Sequence, residues 1–199
     1  MVRELLQKRY SCREYSSKKI PADVISYMLE CGRLSASGGN EQPWKFGVIT
    51  DATIIENISM AAGVNYDQKW IASAPLVIVL CTRLFDEMDK SIALNRFPNM
   101  KSKIEKLDNY LYTIINMEEH QTKIPGEHMV LAALEHDIYS TWVSSIDCEK
   151  VGELLGVKGY LVTNVITFGY PSRMKEATPK KALDSITFTN QYDITGFTV

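Results

Sequence analysis

The sequence lacks the features that mark several large classes of protein. Its longest apolar run, from Ala74 to Cys81, is far too short to cross a bilayer. The first residues alternate charges with hydrophobes and form no apolar signal core, so we expect a soluble cytoplasmic protein without membrane contact. The 22 Lys and Arg nearly balance the 24 Asp and Glu, and a net charge of -2 supplies no overall field to attract nucleic acid. Any anion site must therefore be local.

Cysteine and histidine are scarce, and their spacing argues against a metal centre. No Cys-x-x-Cys pair occurs, so neither a zinc site nor a disulfide framework is indicated. His128 and His136 are eight residues apart, which on a helix separates them by about 12 Å along the axis, too far to share one ion. We therefore predict no metal. The residues concerned are Cys12, Cys31, Cys81, Cys148, His120, His128 and His136.

Nucleotide-binding signatures and domain boundaries are also missing. The chain contains no Gly-x-Gly-x-x-Gly turn and no P-loop, so a tightly held dinucleotide is not expected. No repeat, low-complexity tract or Gly/Ser linker divides it. Its 199 residues are 45% hydrophobic, which is enough for one sizeable core. Residues 1–199 are therefore interpreted as a single domain.

Short regular elements are predicted along most of the chain. Helices are expected at residues 2–8, after Pro21, and from Ile54 to Ala62. Because helices outnumber strands, the pattern predicts an α+β fold. Three segments are typical of strands, being short, β-rich and bounded by turn residues: Trp44 to Thr50, Pro75 to Cys81 and Tyr160 to Phe168.

Two longer helices are predicted in the second half of the chain. After a break at Pro125-Gly126, residues Met129 to Val143 are apolar nearly all round, which is typical of a helix buried in a domain or a subunit interface. The other helix is expected to open at Pro98 and to carry one apolar face made of Met100, Ile104, Leu107, Leu111 and Ile114.

The first stretch with a chemical pattern is Lys8-Arg9-Tyr10-Ser11-Cys12-Arg13, which places three cations within six residues. In an extended backbone alternate side chains point the same way, so Arg9, Ser11 and Arg13 can converge on one anion. The planar fork of arginine suits phosphate oxygens bidentately. On its own, such a loop is more often a solvated basic segment.

A second stretch, from Ser35 to Trp44, combines small residues with amides. Glycines let the backbone approach a flat ligand closely, while Asn40 and Gln42 offer donors and acceptors to the edge of a heterocycle. On its own, this segment is more typical of a plain helix-to-strand turn.

Together the two stretches resemble the nitroreductase family, in which Arg-x-Ser-x-Arg near the N-terminus is followed by Pro-Ser-x-x-Asn-x-Gln-Pro-Trp. Arg9 to Arg13 and Ala36 to Trp44 match these motifs at the right separation. The similarity extends over nearly the whole chain, except for residues 84–123. The other matching segments are Ala74 to Val79, an Ala132-Ala133 helix ending near Trp142, Gly169-Tyr170-Pro171 and Pro179-Lys180-Lys181.

The resemblance implies a nitroreductase-like α+β fold, with a central, mostly antiparallel sheet flanked by helices, in an intertwined homodimer. It also implies two FMN cofactors at the subunit interface. Arg9, Tyr10, Ser11 and Arg13 would hold the phosphate and ribityl end, together with Lys181 or, as the competing choice, Lys180. The flavin bound mainly by the other subunit would be contacted by Ala36, Ser37, Asn40 and Gln42, and the isoalloxazine ring would lie along Trp142, Val143, Ser144 and Ser145.

The sequence departs from the family pattern in three segments. Ala36 replaces the usual proline, Asp137-Ile138-Tyr139 stands where Gly-Leu-Gly is common, and Ser144-Ser145 stands where Gly-Gly or Glu-Gly is usual. The last two departures concern the reactive edge of the flavin, and with it the choice of substrate.

In function, the resemblance implies an enzyme that passes a hydride from NAD(P)H through FMN to a small acceptor such as a nitroaromatic or a quinone. The flavin would carry the hydride, so no catalytic acid, base or nucleophile is assigned. Tyr66, Trp70 and Tyr110 are aromatic candidates for the substrate side, although packing is the commoner role for each. The same fold could instead serve dehalogenation, ring oxidation or a non-catalytic flavin-binding redox sensor.

Overall fold

A computed structural model gives the fold, and it describes residues 2–62, 68–84, 90, 93–94, 97–115 and 117–188. Short 3-10 turns lie at residues 38–40, 69–73, 98–100 and 183–186. The strands are β1 (Trp44–Ile49), β2 (Leu76–Arg83), β3 (Tyr139–Val143) and β4 (Tyr160–Gly169). The helices are α1 (Val2–Lys8), α2 (Ala22–Arg33), α3 (Ala52–Ala61), α4 (Lys101–Ile104), α5 (Asn109–Ile115), α6 (Met117–Glu135) and α7 (Cys148–Leu154).

The four strands form one antiparallel sheet in the order β1-β2-β4-β3. The two inner strands, β2 and β4, carry the centre of the core, and every residue of β2 except Arg83 is buried. Ile166 of β4 is the link across the sheet, since it pairs with Ile78 on one side and with Trp142 on the other. The predicted α+β fold with an antiparallel sheet is confirmed, as are the three predicted strands.

Helix α6 covers one face of the sheet, and α2 packs on its outer side. Gly126 of α6 lies against Leu80 and Trp142, which belong to β2 and β3. Gly32 of α2 lies against the side chain of Met129 in α6. Small residues at both contacts allow the helix backbones to approach closely. The resulting order of layers is α2, α6 and the sheet.

Helices α3 and α7 are joined end to end beside the sheet. The carboxylate of Asp51 begins α3 by accepting N–H groups of the first turn at 2.9 and 3.0 Å, as expected of an N-cap residue. The Asp147 N–H, just before α7, donates to the carbonyl of Ala61 at the end of α3 at 3.1 Å. Gly152 of α7 then packs against Val162 of β4.

The predicted break at Pro125-Gly126 is wrong, because α6 runs through both residues. Proline inside a helix removes one backbone N–H donor, which is destabilising, so packing must hold this helix together. Gly126 has a separate reason to be present. A Cβ atom there would lie 2.4 Å from Trp142 Cη2 and 2.7 Å from Leu80 Cδ1. The glycine marks a close approach of helix and sheet, not a helix end.

The predicted helix from Met129 to Val143 is wrong in its second half. Asp137 has a φ of 57°, and the Ile138 N–H donates to the Ala133 carbonyl at 3.0 Å, which ends the helix in the left-handed manner. The chain then pairs with β4 as the edge strand β3. An apolar run alone does not separate a buried helix from a buried strand. Trp142 and Val143 therefore belong to a strand.

The single long helix predicted after Pro98 is also wrong, since two short helices replace it. Pro98 does open a 3-10 turn, which leads into α4. The carboxylate of Asp108 then accepts the Leu111 N–H at 2.8 Å and starts α5 afresh. Ile104 is buried, whereas Met100 and Leu111 are 45% and 46% exposed. These apolar side chains therefore do not share one buried face.

Candidate functional site

Residues 9–13, the basic segment, lie along the edge strand β3. Its Cys12 N–H donates to the Ser140 carbonyl at 3.1 Å, and the Thr141 hydroxyl donates to the Cys12 carbonyl. Ser11 and Ser140 form a parallel bridge. These bonds hold the segment in the extended conformation on which the predicted convergence of Arg9, Ser11 and Arg13 depends.

Side chains alternate along this extended segment. Cys12 is buried, and its burial raises the pKa of the thiol. Ser11 and Arg13 are exposed, and Arg9 is half-buried. One polar row therefore carries the two guanidinium groups and the Ser11 hydroxyl.

Tyr10, which was predicted to contact the cofactor, has its ring on the core side of the segment. The ring is 5% exposed, and its centroid lies 4.8 Å from that of Tyr139 in β3. Its hydroxyl donates to the Arg173 carbonyl at 3.3 Å. Burial raises the pKa of Tyr10. Its side chain thus attaches the basic segment to β3 and to the C-terminal tail, residues 170–188. It does not join the row of Arg9, Ser11 and Arg13.

The charges around this row are unevenly paired. Lys8 contacts the Asp137 carboxylate at 3.0 Å, and Lys175 contacts that of Glu14 at 2.7 Å. Within the described part of the chain, no carboxylate pairs with Arg9 or Arg13. Two cations therefore remain available to an external anion.

The C-terminal tail runs beside the same segment. The Ser16 N–H donates to the Tyr170 carbonyl at 2.8 Å, and the Ser172 N–H donates to the Glu14 carbonyl at 2.9 Å. These bonds guide the tail along the basic segment toward Lys175. Further along the tail are the two exposed lysines of the sequence prediction, Lys180 and Lys181.

The segment Ala36–Gln42 is a turn with a strained backbone. Asn40 and Gln42 have φ values of 57° and 48°, a region that non-glycine residues rarely adopt. The Ser37 hydroxyl accepts the Gln42 N–H at 2.9 Å, and the Gln42 amide donates to Asn40 at 3.3 Å. Backbone strain of this kind persists only where the surrounding structure maintains it. It is found most often at active sites and ligand-binding sites. Ala36 lies exposed at the start of this turn.

This turn is attached to α6, whereas the basic segment is attached to β3. Ser35 Oγ and His128 Nδ1 are hydrogen-bonded at 2.7 Å. Gly38 also lies beside Gln121 of α6, whose amide nitrogen would be 3.7 Å from a Cβ at that glycine. The two motifs that identify the site in the sequence are therefore positioned by different elements.

The end of β3 is the third part of the predicted site. Val143 is buried and Ser144 is exposed, so the strand emerges at the surface at this point. The Gln68 amide donates to the Ser145 carbonyl at 2.6 Å. The 3-10 turn that follows Gln68 reaches the basic segment through Trp70, which contacts Arg13. The structure thus brings the basic segment, the 3-10 turn at residues 69–73 and the end of β3 together.

A cavity of about 510 Å³ opens beside the end of β3. It includes the predicted Trp142, Val143 and Ser144, and the Trp142 N–H donates to the Glu127 carboxylate at 3.2 Å. The sequence prediction missed its other polar residues, because no local pattern distinguishes them. The lining consists of Lys123, Glu127, Trp142, Val143, Ser144, Ile146, Cys148, Thr163 and Asn164.

The remaining candidates have packing partners or lie outside the described residues. Tyr110 donates to the Glu149 carboxylate, which raises the pKa of Tyr110 to about 12. The His136 ring meets that of Tyr27 edge to face at 5.4 Å. No three metal-ligating side chains cluster anywhere in the described ranges, and no described helix has the length and apolarity to span a membrane. Tyr66 and the side chains of Ile114 and His120 lie outside the described residues.

The architecture is that of an α+β protein with helices layered on an antiparallel sheet, and its polar site lies at the edge strand. The sequence profile of the Nitroreductase family matches residues 6–170. The chain belongs to the nitroreductase family.

Individual relatives agree with this assignment. The chain is 28% identical over 185 residues to the major NAD(P)H-flavin oxidoreductase of Aliivibrio fischeri, covering 83% of this chain and 85% of that protein. It is 26% identical over 200 residues to an oxygen-insensitive NADPH nitroreductase of Helicobacter acinonychis, covering 89% and 90%. The crystal structure of a nitroreductase family protein from Clostridium difficile 630 has the same fold, with a TM-score of 0.74 at 24% identity and coverage of 96% and 98%.

Proposed function

We propose that this chain is an FMN-dependent oxidoreductase that transfers a hydride from NAD(P)H to a small acceptor such as a nitroaromatic or a quinone. The observation that carries this proposal is the polar row of Arg9, Ser11 and Arg13, which has two guanidinium groups without a described carboxylate partner. The names of the flavin oxidoreductase and nitroreductase relatives support the same class of reaction.

The row fits a terminal phosphate. Two guanidinium groups offer ten N–H donors in planar forks, which match phosphate oxygens bidentately. The hydroxyl of Ser11 lies between them in the sequence and adds one further donor. Lys181 or Lys180 of the tail would supply an additional cation, because the tail is guided beside this segment as far as Lys175.

The edge of β3 fits the flat part of the cofactor. Within the described residues, β3 has β4 on one side, and the other side is bridged only where Ser11 meets Ser140. Beyond this bridge the edge presents backbone donors and acceptors, which suit the polar rim of a heterocycle. Trp142, Val143 and Ser144 would therefore lie along the isoalloxazine ring. Bound FMN would supply the hydride chemistry, while these residues orient the ring.

A second copy of the chain would complete the site. The turn that contains Ala36, Ser37, Asn40 and Gln42 is held by α6, whereas β3 holds Arg9 to Arg13. Its strained backbone and exposed amides suit a contact with the flavin of the partner subunit. We therefore propose a homodimer with two flavin sites at its interface.

The absorption spectrum of the purified protein tests the proposal. We expect flavin bands, release of FMN on denaturation, and anaerobic bleaching by NADH or NADPH. Nitroaromatic, quinone and halogenated acceptors, supplied separately, would then identify the product class. Protein that is colourless and fails to bind added FMN would contradict the proposal, and bound flavin that no nicotinamide reduces would favour a redox sensor. Dimer dissociation should release FMN, whereas a stable monomer that retains FMN would contradict the shared site.

A further inference from the structure

The strained turn at residues 36–42 follows one face of helix α6. Just before the turn, Ser35 Oγ and His128 Nδ1 are hydrogen-bonded at 2.7 Å, and within it Gly38 lies beside the side-chain amide of Gln121. Positions 121 and 128 are seven residues apart, which is about two turns of helix, so they share one face. The turn therefore runs back along α6, from its second half toward its first.

His128 holds the point from which this turn departs. Helix α2 ends at Arg33, and two residues later Ser35 is buried, with 6% of its surface exposed. The last turn of α2 is itself packed tightly on α6, because a Cβ atom at Gly32 would lie 2.2 Å from Met129 Cε. Two consecutive residues of α6, His128 and Met129, thus fix the end of α2 and the start of the strained turn.

The rest of the turn depends on this anchor. Asn40 and Gln42 have φ values of 57° and 48°, which persist only where the surrounding structure maintains them. The bond from the Gln42 N–H to the Ser37 hydroxyl, at 2.9 Å, lies inside the turn. Such a bond fixes the shape of the turn but not its position on the protein. The hydrogen bond between Ser35 and His128 supplies that position.

We propose that His128 is a positioning residue for the flavin bound by the partner subunit, and that it acts through Ser35 on the placement of the turn. This inference rests on the proposed function, in which the turn contacts that flavin. Asn40 and Gln42 are exposed, and their amides suit the polar rim of the isoalloxazine ring. His128 therefore affects the binding of the ring, whereas Arg13 affects the binding of the phosphate.

Two replacements at position 128 separate the hydrogen bond from the volume of the side chain. Asparagine carries polar atoms on Cγ, as histidine carries Nδ1, and it can donate or accept, whereas leucine has a similar shape without this capacity. His128→Leu should weaken FMN and riboflavin equally, by about three- to tenfold, which is the effect of one lost hydrogen bond. His128→Asn should stay within about twofold of the wild type.

Quenching of flavin fluorescence by the apoprotein measures these affinities. His136→Leu is the matched control, because the His136 ring packs edge to face on Tyr27, just after the end of α6, and should leave both flavins unaffected. If His128→Leu does not fold, Ser35→Ala removes the same hydrogen bond from the other side and replaces it in every measurement. Equal losses in the asparagine and leucine variants, or a loss confined to FMN, would overturn the inference.

A mixed dimer tests whether His128 acts on the flavin of the partner. One subunit carries Arg13→Ala and the other carries His128→Leu, with different affinity tags for purification. If each site combines Arg13 of one subunit with the turn of the other, both changes fall on the same site and the second site is intact. The mixed dimer should then bind one FMN with wild-type affinity, although neither variant homodimer does.

The opposite result is equally clear. If His128 acts within its own subunit, each site of the mixed dimer carries one change and no site has wild-type affinity, which would overturn the inference. A failure of the proposed function is distinguishable from this result, because the wild-type protein itself would then bind no FMN.

Discussion

The guanidinium carbon of Arg13 lies 5.7 Å from the ring centroid of Trp70, so the N-terminal basic segment and the 3-10 turn at residues 69–73 meet through a cation–π contact. Among the described residues, an aromatic surface and not a carboxylate directs the N–H donors of Arg13. The side chain is thus positioned without being neutralised, which makes it a direct probe of the proposed phosphate site.

Replacing Arg13 with alanine should weaken FMN far more than riboflavin, which lacks the phosphate. One charge-assisted hydrogen bond contributes about 1.5 to 3 kcal/mol, so FMN binding should fall roughly ten- to hundredfold. Quenching of flavin fluorescence by the apoprotein measures both affinities. The control is Lys18→Ala, because Lys18 also lies over an aromatic ring, that of Tyr170, at 3.8 Å. Equal losses for the two flavins would show that Arg13 does not bind the phosphate.

Replacing Gly126 with alanine should destabilise the protein. The added Cβ would lie 2.4 Å from the Trp142 ring and 2.7 Å from Leu80, and overpacking of this kind costs about 1 to 3 kcal/mol. Urea unfolding measures the change in the free energy of unfolding. Gly152→Ala in α7 is the matched control, since its Cβ would meet only Val162 at an ordinary 3.7 Å. There, the better helix propensity of alanine should raise stability by about 0.5 to 1 kcal/mol. Equal effects of the two changes would contradict the close approach seen at Gly126.

The secondary structure could be predicted where the local pattern is unambiguous. The helix after Pro21 and the strand beginning at Trp44 have clear boundaries, and both are present. Prediction failed at β3, because its apolar residues continue the pattern of α6 and only pairing with β4 makes them a strand. It failed again after Ile104, where the Asp108 cap divides one apolar pattern into two helices.

The ion pair between Glu14 and Lys175 should make stability depend on pH. The hydrogen bond from Lys175 holds the pKa of the Glu14 carboxyl below its usual value. Stability from such a group is fully present above the unfolded pKa, about 4.3, and is lost as the pH falls through the folded pKa. The wild type should therefore exceed Glu14→Gln in stability near neutral pH, and the difference should vanish in acid. Denaturation midpoints across this range measure it.

A matched variant tests what the pair at Glu14 does for the tail. The pKa of Glu30 is also lowered, by its hydrogen bond with Arg33 inside α2, but that pair does not hold the tail. Glu30→Gln should repeat the pH trend without changing the proteolysis of residues 170–188, which Glu14→Gln should accelerate. A Glu14 effect that persists unchanged at low pH would contradict the assignment.

Replacing Asp137 with glycine should not weaken FMN binding, because it removes no group of the proposed phosphate site and releases Lys8, which is next to Arg9 in the sequence. Asp137 precedes β3, whereas Ser144 follows it, and a five-residue strand separates them by about 16 Å. Glycine favours the φ of 57° found there, which offsets the loss of the exposed contact with Lys8, so stability should change by less than about 1 kcal/mol. In contrast, Ser144→Gly should alter the rate of flavin reduction. A large fall in FMN affinity in Asp137→Gly would show that this family departure does reach the cofactor.

Part of the candidate site could be predicted because its residues are close together in sequence. The alternation of Arg9, Ser11 and Arg13 follows directly from an extended backbone. The cavity could not be predicted in this way. Asn164 of β4 lines it beside a bulge where β4 has one more residue than β2, and this mismatch depends on two strands that are far apart in the chain.

The hydrogen bond between Cys12 and Thr141 joins residues that are 129 positions apart. Contacts so distant in sequence form late in folding, because a long loop must close before they are made. During synthesis, the segment with Arg9 and Arg13 leaves the ribosome first, but it takes its folded conformation only when β3 and β4 have followed. A truncated product that ends before β3 would carry both arginines without a surface to arrange them. The proposed anion site is therefore among the last parts of the nascent chain to form.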